Sequence, residues 1–383
     1  MLAWPDLADG ALVKEVRGFV LDCVQPEADR IDREDFYPTH IVKESARRGF
    51  NTITLPAELG GRGGDYTSAV ALFEELGYGS AAVGICLITI FQAQTIIRLF
   101  GCDSLKARYL PKFSQGLISS YALTETNHGS DIRSLSTKAR KDGHEWVLTG
   151  EKAFITSGAG AEFFIILAET SVGVSVFAVP KELPGLTTYV GENSATFGLR
   201  NGPHVNLRLD GVRVPLDHLI GVEGKGVRQA VTTLDYSRTL AAAISIGIAR
   251  AALDHAGAYA AGRVAFDQPV IDFQGIQWYF AELMTEIDSA RLLVYHAAKV
   301  LNGGSHADMV RFSSEAKLKA SSVAVRAANI AIQVCGAYGT TVNAPLNRFF
   351  RDAKTYEIGG GSSEVLKNTI GRHVSKSFGK HAV

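Results

Sequence analysis

The stretch RDAKTYEIGGGSSEVLKNTIGR, residues 351–372, brings together residue types whose spacing could do chemistry. It begins with a charged, helix-prone tetrad and ends in an amphipathic run, with Gly359, Gly360 and Gly361 between them. Three glycines carry a large backbone-entropy cost and contribute no packing. In a helical context they mark a loop that passes close to something flat or bulky. Ser362 and Ser363 follow as an N-cap pair, and Val365, Leu366, Thr369 and Ile370 supply the apolar stripe of the next helix. A loop feeding a helix N-terminus presents free amide N–H groups to whatever sits there. The same residues also suit an ordinary helix–loop–helix linker.

Composition bounds the rest. At 383 residues the chain is long for one hydrophobic core, so roughly two or three core units are expected. Hydrophobic residues at 46% and charged residues at 20% describe an ordinary globular protein. The formal net charge is zero, which gives no electrostatic case for nucleic acid or an anionic membrane as partner. Cys23, Cys86, Cys102 and Cys335 have no metal-ligand spacing and suit a reducing compartment. The N-terminal MLAWPDLADG has neither a basic segment nor an apolar run, so no secretory signal is expected. The run AAVGICLITI is too short to cross a bilayer, where roughly 20 apolar residues are needed. These features predict a cytoplasmic protein without a metal.

The elements that must position the loop fall into three blocks. Residues 1–118 read as helices: Leu12, Val13, Val16, Phe19 and Val20 recur at helical spacing, and an almost wholly apolar helix is expected at 81–100. The four-glycine loop 56–67 has no GxGxxG and reads as a connector. In 119–225, SSYALTE, EWVLTGEKAFIT, EFFIILAE, VSVFAVP and VNLRLD are short Val-, Ile-, Phe- and Thr-rich runs, which predict strands of an antiparallel sheet or barrel. From 226 to 383 three long helix candidates and the 362–378 segment predict a four-helix bundle. The fold class is α+β: an N-terminal helical domain, a central antiparallel β domain and a C-terminal four-helix bundle.

That order resembles the acyl-CoA dehydrogenase superfamily, and motifs agree along nearly the whole chain. YALTETNHGSD (121–131), GEKAFITSGAGAEFFII (150–166), RVAFDQPVIDFQGIQW (263–278) and QVCGAYGTTVNAPLNRFFRDAK (333–354) resemble its fingerprints in the right order, and Tyr-Glu-Ile-Gly resembles the isovaleryl-type branch. The resemblance implies FAD as cofactor. Thr124 and Thr156 would hydrogen-bond the flavin ring, with Tyr121 and Leu123 beside them and Phe154 packing on it in place of the usual Trp. A hydroxyl donor there stabilises the reduced ring. Arg263, Phe266, Gln274, Gln333 and Gly336 would hold the pyrophosphate and adenine, partly across a subunit boundary, and Ser362 would also contact FAD. Ser130 would touch FAD and the thioester's pantetheine arm. Gly359, Asp235, Ser237 and Arg238 would line the substrate site, Asp235 on the pantetheine. The family is usually a tetramer, so a homotetramer or homodimer is implied.

One departure bears on mechanism. The family removes a proton next to the thioester carbonyl with a glutamate while a hydride leaves for the flavin. By the resemblance that glutamate stands either at the position of Gly360 or, in the isovaleryl branch, at that of Ser237 within LDYSR (234–238). Neither glycine nor serine is a competent base without an activating partner. Gly360 keeps its N–H, which in the family polarises the thioester oxygen. Glu364, one helical turn past Gly360, is the expected replacement base, because helical side chains lean toward the N-terminus. It could equally cap the helix or touch FAD. Asp235 and Tyr236 are further candidates, and Glu357 is expected to angle away.

The expected activity is FAD-dependent dehydrogenation of an acyl thioester on CoA or on an acyl carrier protein, as in relatives serving polyketide biosynthesis. A relocated base would suit an unusual position such as the γ,δ bond. The expected electron acceptor is an electron-transfer flavoprotein. A flavin-dependent monooxygenase or oxidase on the same fold, and a non-catalytic flavin-binding subunit, are the alternatives.

Overall fold

The computed structural model describes residues 7–379; the first six residues of the N-terminal segment read above lie outside them. The first block holds α1 (Gly10–Phe19), α2 (Ala28–Glu34), α3 (Thr39–Arg47), α4 (Tyr66–Gly79), α5 (Ala81–Phe100) and α6 (Asp103–Ser114). Asp65 starts α4 by accepting the Ser68 N–H at 2.9 Å, and Ser80 starts α5 by accepting that of Val83 at 3.4 Å. The apolar run expected to be too short belongs to a 20-residue helix that meets the length and hydropathy of a membrane span. Its side chains are instead buried against α4, α7 and the sheet.

The strands are β1 (Ser119–Ala122), β2 (Lys138–Asp142), β3 (Glu145–Ile155), β4 (Phe163–Glu169), β5 (Val174–Pro180), β6 (Leu186–Tyr189), β7 (Val205–Pro215) and β8 (Leu219–Ile220). Their order is β6-β7-β3-β2-β4-β5-β8, with β1 beside β4. The sheet is mixed rather than wholly antiparallel, because β1 and β2 both pair with β4 in parallel. KARKD and LTTY form β2 and β6, which apolar content does not reveal since both are largely exposed. β4 separates two cores by its period of two. Phe163, Ile165 and Leu167 join the helical core, whereas Phe164, Ile166 and Ala168 fill the inside of the sheet.

The last block holds α7 (Gly226–Gly262), the hairpin β9 (Val264–Ala265) and β10 (Gln268–Pro269), α8 (Gln274–Leu301), α9 (His306–Gly339), α10 (Pro345–Ile358) and α11 (Ser363–Gly379). The fourth helix packed into the bundle is α10, not the 362–378 segment. Leu346, Phe349, Ala353 and Tyr356 give α10 a buried stripe at helical spacing against α7 and α9. α11 lies on α9 with Leu366 as its one fully buried side chain.

α7 passes unusually close to α4. A Cβ on Gly247 would stand 2.2 Å from the Glu74 carbonyl, and one on Gly77 2.2 Å from that of Ile244. Beside this crossing lies a buried ion network. Glu74 accepts from Arg250 at 2.8 Å, from Arg291 Nε at 2.9 Å and from the Tyr295 hydroxyl at 3.1 Å. Glu75 accepts from Arg250 and from Arg17 of α1, each at 2.9 Å. The arginines outweigh the burial that pushes the Glu75 carboxyl up and hold it below the usual range.

A second buried pair fastens the loop after β1. Glu125 accepts from Lys152 Nζ at 2.8 Å and from the N–H groups of Ser136 and Thr137 at 2.6 and 3.0 Å. Burial pushes its carboxyl up, but Lys152 and Thr137 more than offset this and hold it at about 2.

Two outcomes are expected. Gly247→Val forces α7 away from α4 and lowers the midpoint of thermal unfolding, consistent with the roughly 1–3 kcal/mol typical of overpacking. Because the Glu125 carboxyl is depressed, its contribution to stability is full above the unfolded value of 4.5 and is lost as pH falls toward about 2. Denaturant titrations across that range should lose less in Glu125→Gln than in the wild type.

Candidate functional site

The lip of the sheet assembles two of the sequence motifs. The Ala153 N–H donates to Thr124 O at 3.0 Å, and Ser120 Oγ donates to Thr156 O at 2.6 Å. The Thr124 loop and the end of β3 therefore lie side by side. Lys152 Nζ also donates to Leu123 O at 3.3 Å, which ties Leu123 to the same strand. Tyr121 points toward Thr233 of α7, and burial pushes its hydroxyl up. The ladder between β3 and β7 slips between Lys152 and Ile155, and Phe154 sits in this bulge with φ +56°. Its N–H donates to Asn206 Oδ1 at 3.2 Å, while its ring is 45% exposed. A left-handed, non-glycine residue holding an aromatic ring toward solvent is strained, and such strain collects at functional sites.

These residues fit a flavin. Thr124 and Thr156 are half-buried, and among the described residues neither hydroxyl makes a hydrogen bond within the chain. The exposed Phe154 face stands between them in sequence and on the same lip. Ser130 is exposed farther along the 121–131 loop.

The second FAD-related set gathers elsewhere in the chain. Arg263 caps α7, and Phe266 tips the β9–β10 turn with φ +50° and 91% exposure. Gln274 opens α8 and is exposed. Gln333 is exposed on α9 just before the kink at Gly336, whose φ is +57° and where a Cβ would meet nothing within 4 Å. Tyr338 stacks on Tyr259 at 5.3 Å, which brings this end of α9 to the end of α7. Among the described residues no hydrogen bond, ion pair or ring contact links this set to Thr124, Phe154 or Thr156.

The triglycine loop joins α10 to α11. Gly360 and Gly361 have φ of +73° and +109°, which glycine alone adopts freely. A Cβ at Gly360 would meet nothing within 4 Å. Arg238 Nε donates to Gly360 O at 2.9 Å, and Arg238 Nη1 donates to Asp235 Oδ1 at 2.7 Å. Asp235 is buried, and its Oδ2 lacks a partner of good hydrogen-bond geometry; the Ser313 hydroxyl, which donates to Val310 O at 3.3 Å, lies near enough to help lower the carboxyl. Burial raises the Asp235 carboxyl to about 6, against the pull of Arg238 and His306. Ser237 accepts from Gln92 Nε2 at 3.2 Å across α5 and α7. Tyr236 faces away from these, its ring 4.9 Å from that of Tyr66.

Glu364 stands in the first turn of α11, just after the triglycine loop, Ser362 and Ser363. It is exposed, and its own N–H and Ser362 lower its carboxyl below the usual range, the arrangement of a helix cap. Ser362 itself caps α11 by accepting the Val365 N–H at 3.5 Å. Glu357 does angle away, accepting from Lys354 at 2.6 Å. Two residues that sequence reasoning passed over enter here. Gln92 sits inside α5, where it and Gln94 interrupt the apolar run, a visible signal. Lys317 donates to Gly361 O at 2.7 Å, and nothing in its surroundings SSEAKLKASS marks it.

Comparison with known proteins follows this geometry. Three family models match in order: the acyl-CoA dehydrogenase N-terminal domain over 8–117, the middle domain over 120–212 and the C-terminal domain over 224–375. An acyl-CoA dehydrogenase of Bacillus subtilis is 36% identical over 94% of this chain and 96% of its own length. The structure of butyryl-CoA dehydrogenase from Megasphaera elsdenii superposes with a TM-score of 0.92 at 31% identity, covering 98% of this chain and 99% of that one. The prolyl acyl carrier protein oxidase AnaB gives 0.89 at 27% identity, covering 96% and 100%. With all three domains matched, the chain belongs to the acyl-CoA dehydrogenase family, whose members are FAD-dependent oxidoreductases of acyl thioesters.

Proposed function

We propose that this chain dehydrogenates an acyl group carried on a pantetheine arm, with the arm's amide on Asp235 and the thioester oxygen on the Gly360 N–H. The observation that carries the reading is the triglycine loop, whose Gly360 carbonyl is held by Arg238 at 2.9 Å and whose Gly360 Cα faces open space, within a chain matched along all three family domains. FAD, when bound, would accept the hydride released from the acyl chain, and the proton lost with it would pass to water in the open space beside Gly360. Thr124 and Thr156 would offer their free hydroxyls to the ring, and Phe154 its exposed face. Arg263, Phe266, Gln274, Gln333 and Gly336 would serve the cofactor of a second copy, in a cytoplasmic homodimer or homotetramer.

The carrier is CoA or an acyl carrier protein; the similarity to a prolyl acyl carrier protein oxidase supports the second as fully as the CoA-named relatives support the first. The open space beside Gly360 admits a branched or bulky acyl group. Oxidation at the γ,δ bond of an enoyl group is a second reading. It is favoured by the absence of an acid at both Gly360 and Ser237, since conjugation keeps a γ proton acidic.

Anaerobic addition of CoA and carrier-protein thioesters to the purified flavoprotein tests this. At least one thioester is expected to bleach the flavin, and an electron-transfer flavoprotein to reoxidise it faster than oxygen does. A flavin that no thioester bleaches would sink the reading, and rapid reoxidation by oxygen would favour a monooxygenase.

Two variants address the proton. Glu364→Gln, as a cap replacement, should bleach at close to the wild-type rate. Gly360→Glu returns a carboxylate to open space and should accelerate bleaching by straight-chain acyl-CoA, up to the roughly 10²–10⁴-fold that a positioned general base contributes. Because φ +73° strains any side chain, Gly360→Ala is the control: a Gly360→Glu slower than Gly360→Ala, with both binding thioester, would show that the wild type already has its base.

A further inference from the structure

Three consecutive glycines predict a loop with no fixed shape, yet Gly359–Gly361 has one. Two cations hold it. Arg238 from α7 grips the Gly360 carbonyl at 2.9 Å, and Lys317 from α9 grips the Gly361 carbonyl at 2.7 Å. They come from two helices that pack on each other, so the grip is rigid.

The cations are not equivalent. Arg238 is paired with Asp235 at 2.7 Å. Lys317 is fully buried, and among the described residues no carboxylate stands within 4 Å of its ammonium. A buried ammonium on one neutral carbonyl is unfavourable unless something further offsets it. Glu357 of α10 and Glu364 of α11 act on it only at longer range, and Arg238 opposes them. A carboxylate on the loop would cancel this charge, but position 360 is glycine. The ammonium stands one residue from Gly360 along the loop, on the carbonyl of Gly361.

We propose that Lys317 is a positioning residue for the thioester: with Arg238 it pins two successive carbonyls of the triglycine loop, which orients the Gly360 N–H, and its charge, offset only at longer range by Glu357 and Glu364, adds to the polarisation of the thioester oxygen. The inference rests on the placement of that oxygen proposed above. No side chain of the loop takes part, so the loop needs only backbone in a fixed conformation, and glycine provides that conformation at φ +73° and +109°. Burial and the Arg238 charge lower the Lys317 amine to about 8, so its charge is present below that pH and lost above it.

The test uses the FAD-loaded protein and an acetyl thioester, which has no β-carbon to oxidise. Difference infrared spectroscopy with a ¹³C-labelled carbonyl reads the polarisation directly. In the wild type the bound carbonyl is expected at lower frequency than the free thioester, and the shift should shrink as pH rises through about 8. Lys317→Met should lose most of the shift and its pH dependence. It should also slow bleaching by a reactive thioester at saturation roughly tenfold or more, with KM changed less. Lys317→Arg should keep most of both. Retained FAD and a cooperative unfolding transition show that a variant is folded. A folded Lys317→Met with the wild-type shift overturns the role of Lys317 alone. Absence of any shift in a wild type that binds the thioester overturns the placement of the oxygen and this inference with it. If Lys317→Met does not fold, the wild-type pH series decides: a shift that stays flat through about 8 overturns the proposal.

Discussion

The crossing of α4 over α7 is the constraint on which the rest of the structure depends. Gly77 and Gly247 let two backbones meet where any side chain would collide. Glu74 and Glu75 then reach Arg250 on α7, Arg291 on α8 and Arg17 on α1 in one dry network. Such a network gives little net stability against an apolar equivalent, but removing any partner leaves a buried charge. It therefore acts as a fastener that permits one arrangement. α7 is 37 residues and about 55 Å long at the helical rise. It carries Asp235–Arg238 near one end and Arg263 at the other, so the fastener sets both ends at once.

Around that spine the molecule divides its work between two kinds of support. The lip of the sheet is held by hydrogen bonds to backbone and by the Glu125–Lys152 pair, which leaves the Thr124 and Thr156 hydroxyls free and forces Phe154 outward. The triglycine loop is held by helices, with Arg238 and Lys317 pinning two of its carbonyls. A backbone held in this way keeps its orientation without help from any side chain of its own.

Much of this was legible because local pattern and chemistry coincide. The three blocks follow from helical spacing, then short β-branched runs, then long helices, and the motifs within them name the family. Where pattern and chemistry separate, reading failed. β2, between β3 and β4, and β6, at the sheet edge, are polar strands with no run of apolar alternation, and β1 pairs in parallel with a strand 44 residues on in the chain, a partner no local pattern names. α10 reads as a charged tetrad because its buried stripe is interrupted by arginines that face Asp29 and Asp32.

The sequence by itself determined the order of blocks, the glycine loop, the family and the FAD-dependent chemistry, since each is written in residue types at short range. Tertiary structure alone decided which cations hold the loop, which carboxylate is left with an empty oxygen, and which helix completes the bundle. Lys317 lies 44 residues from Gly361, and Arg238 lies 122 from Gly360. Nothing at short range links them, because a buried lysine and a solvated one look alike until other helices close over the amine.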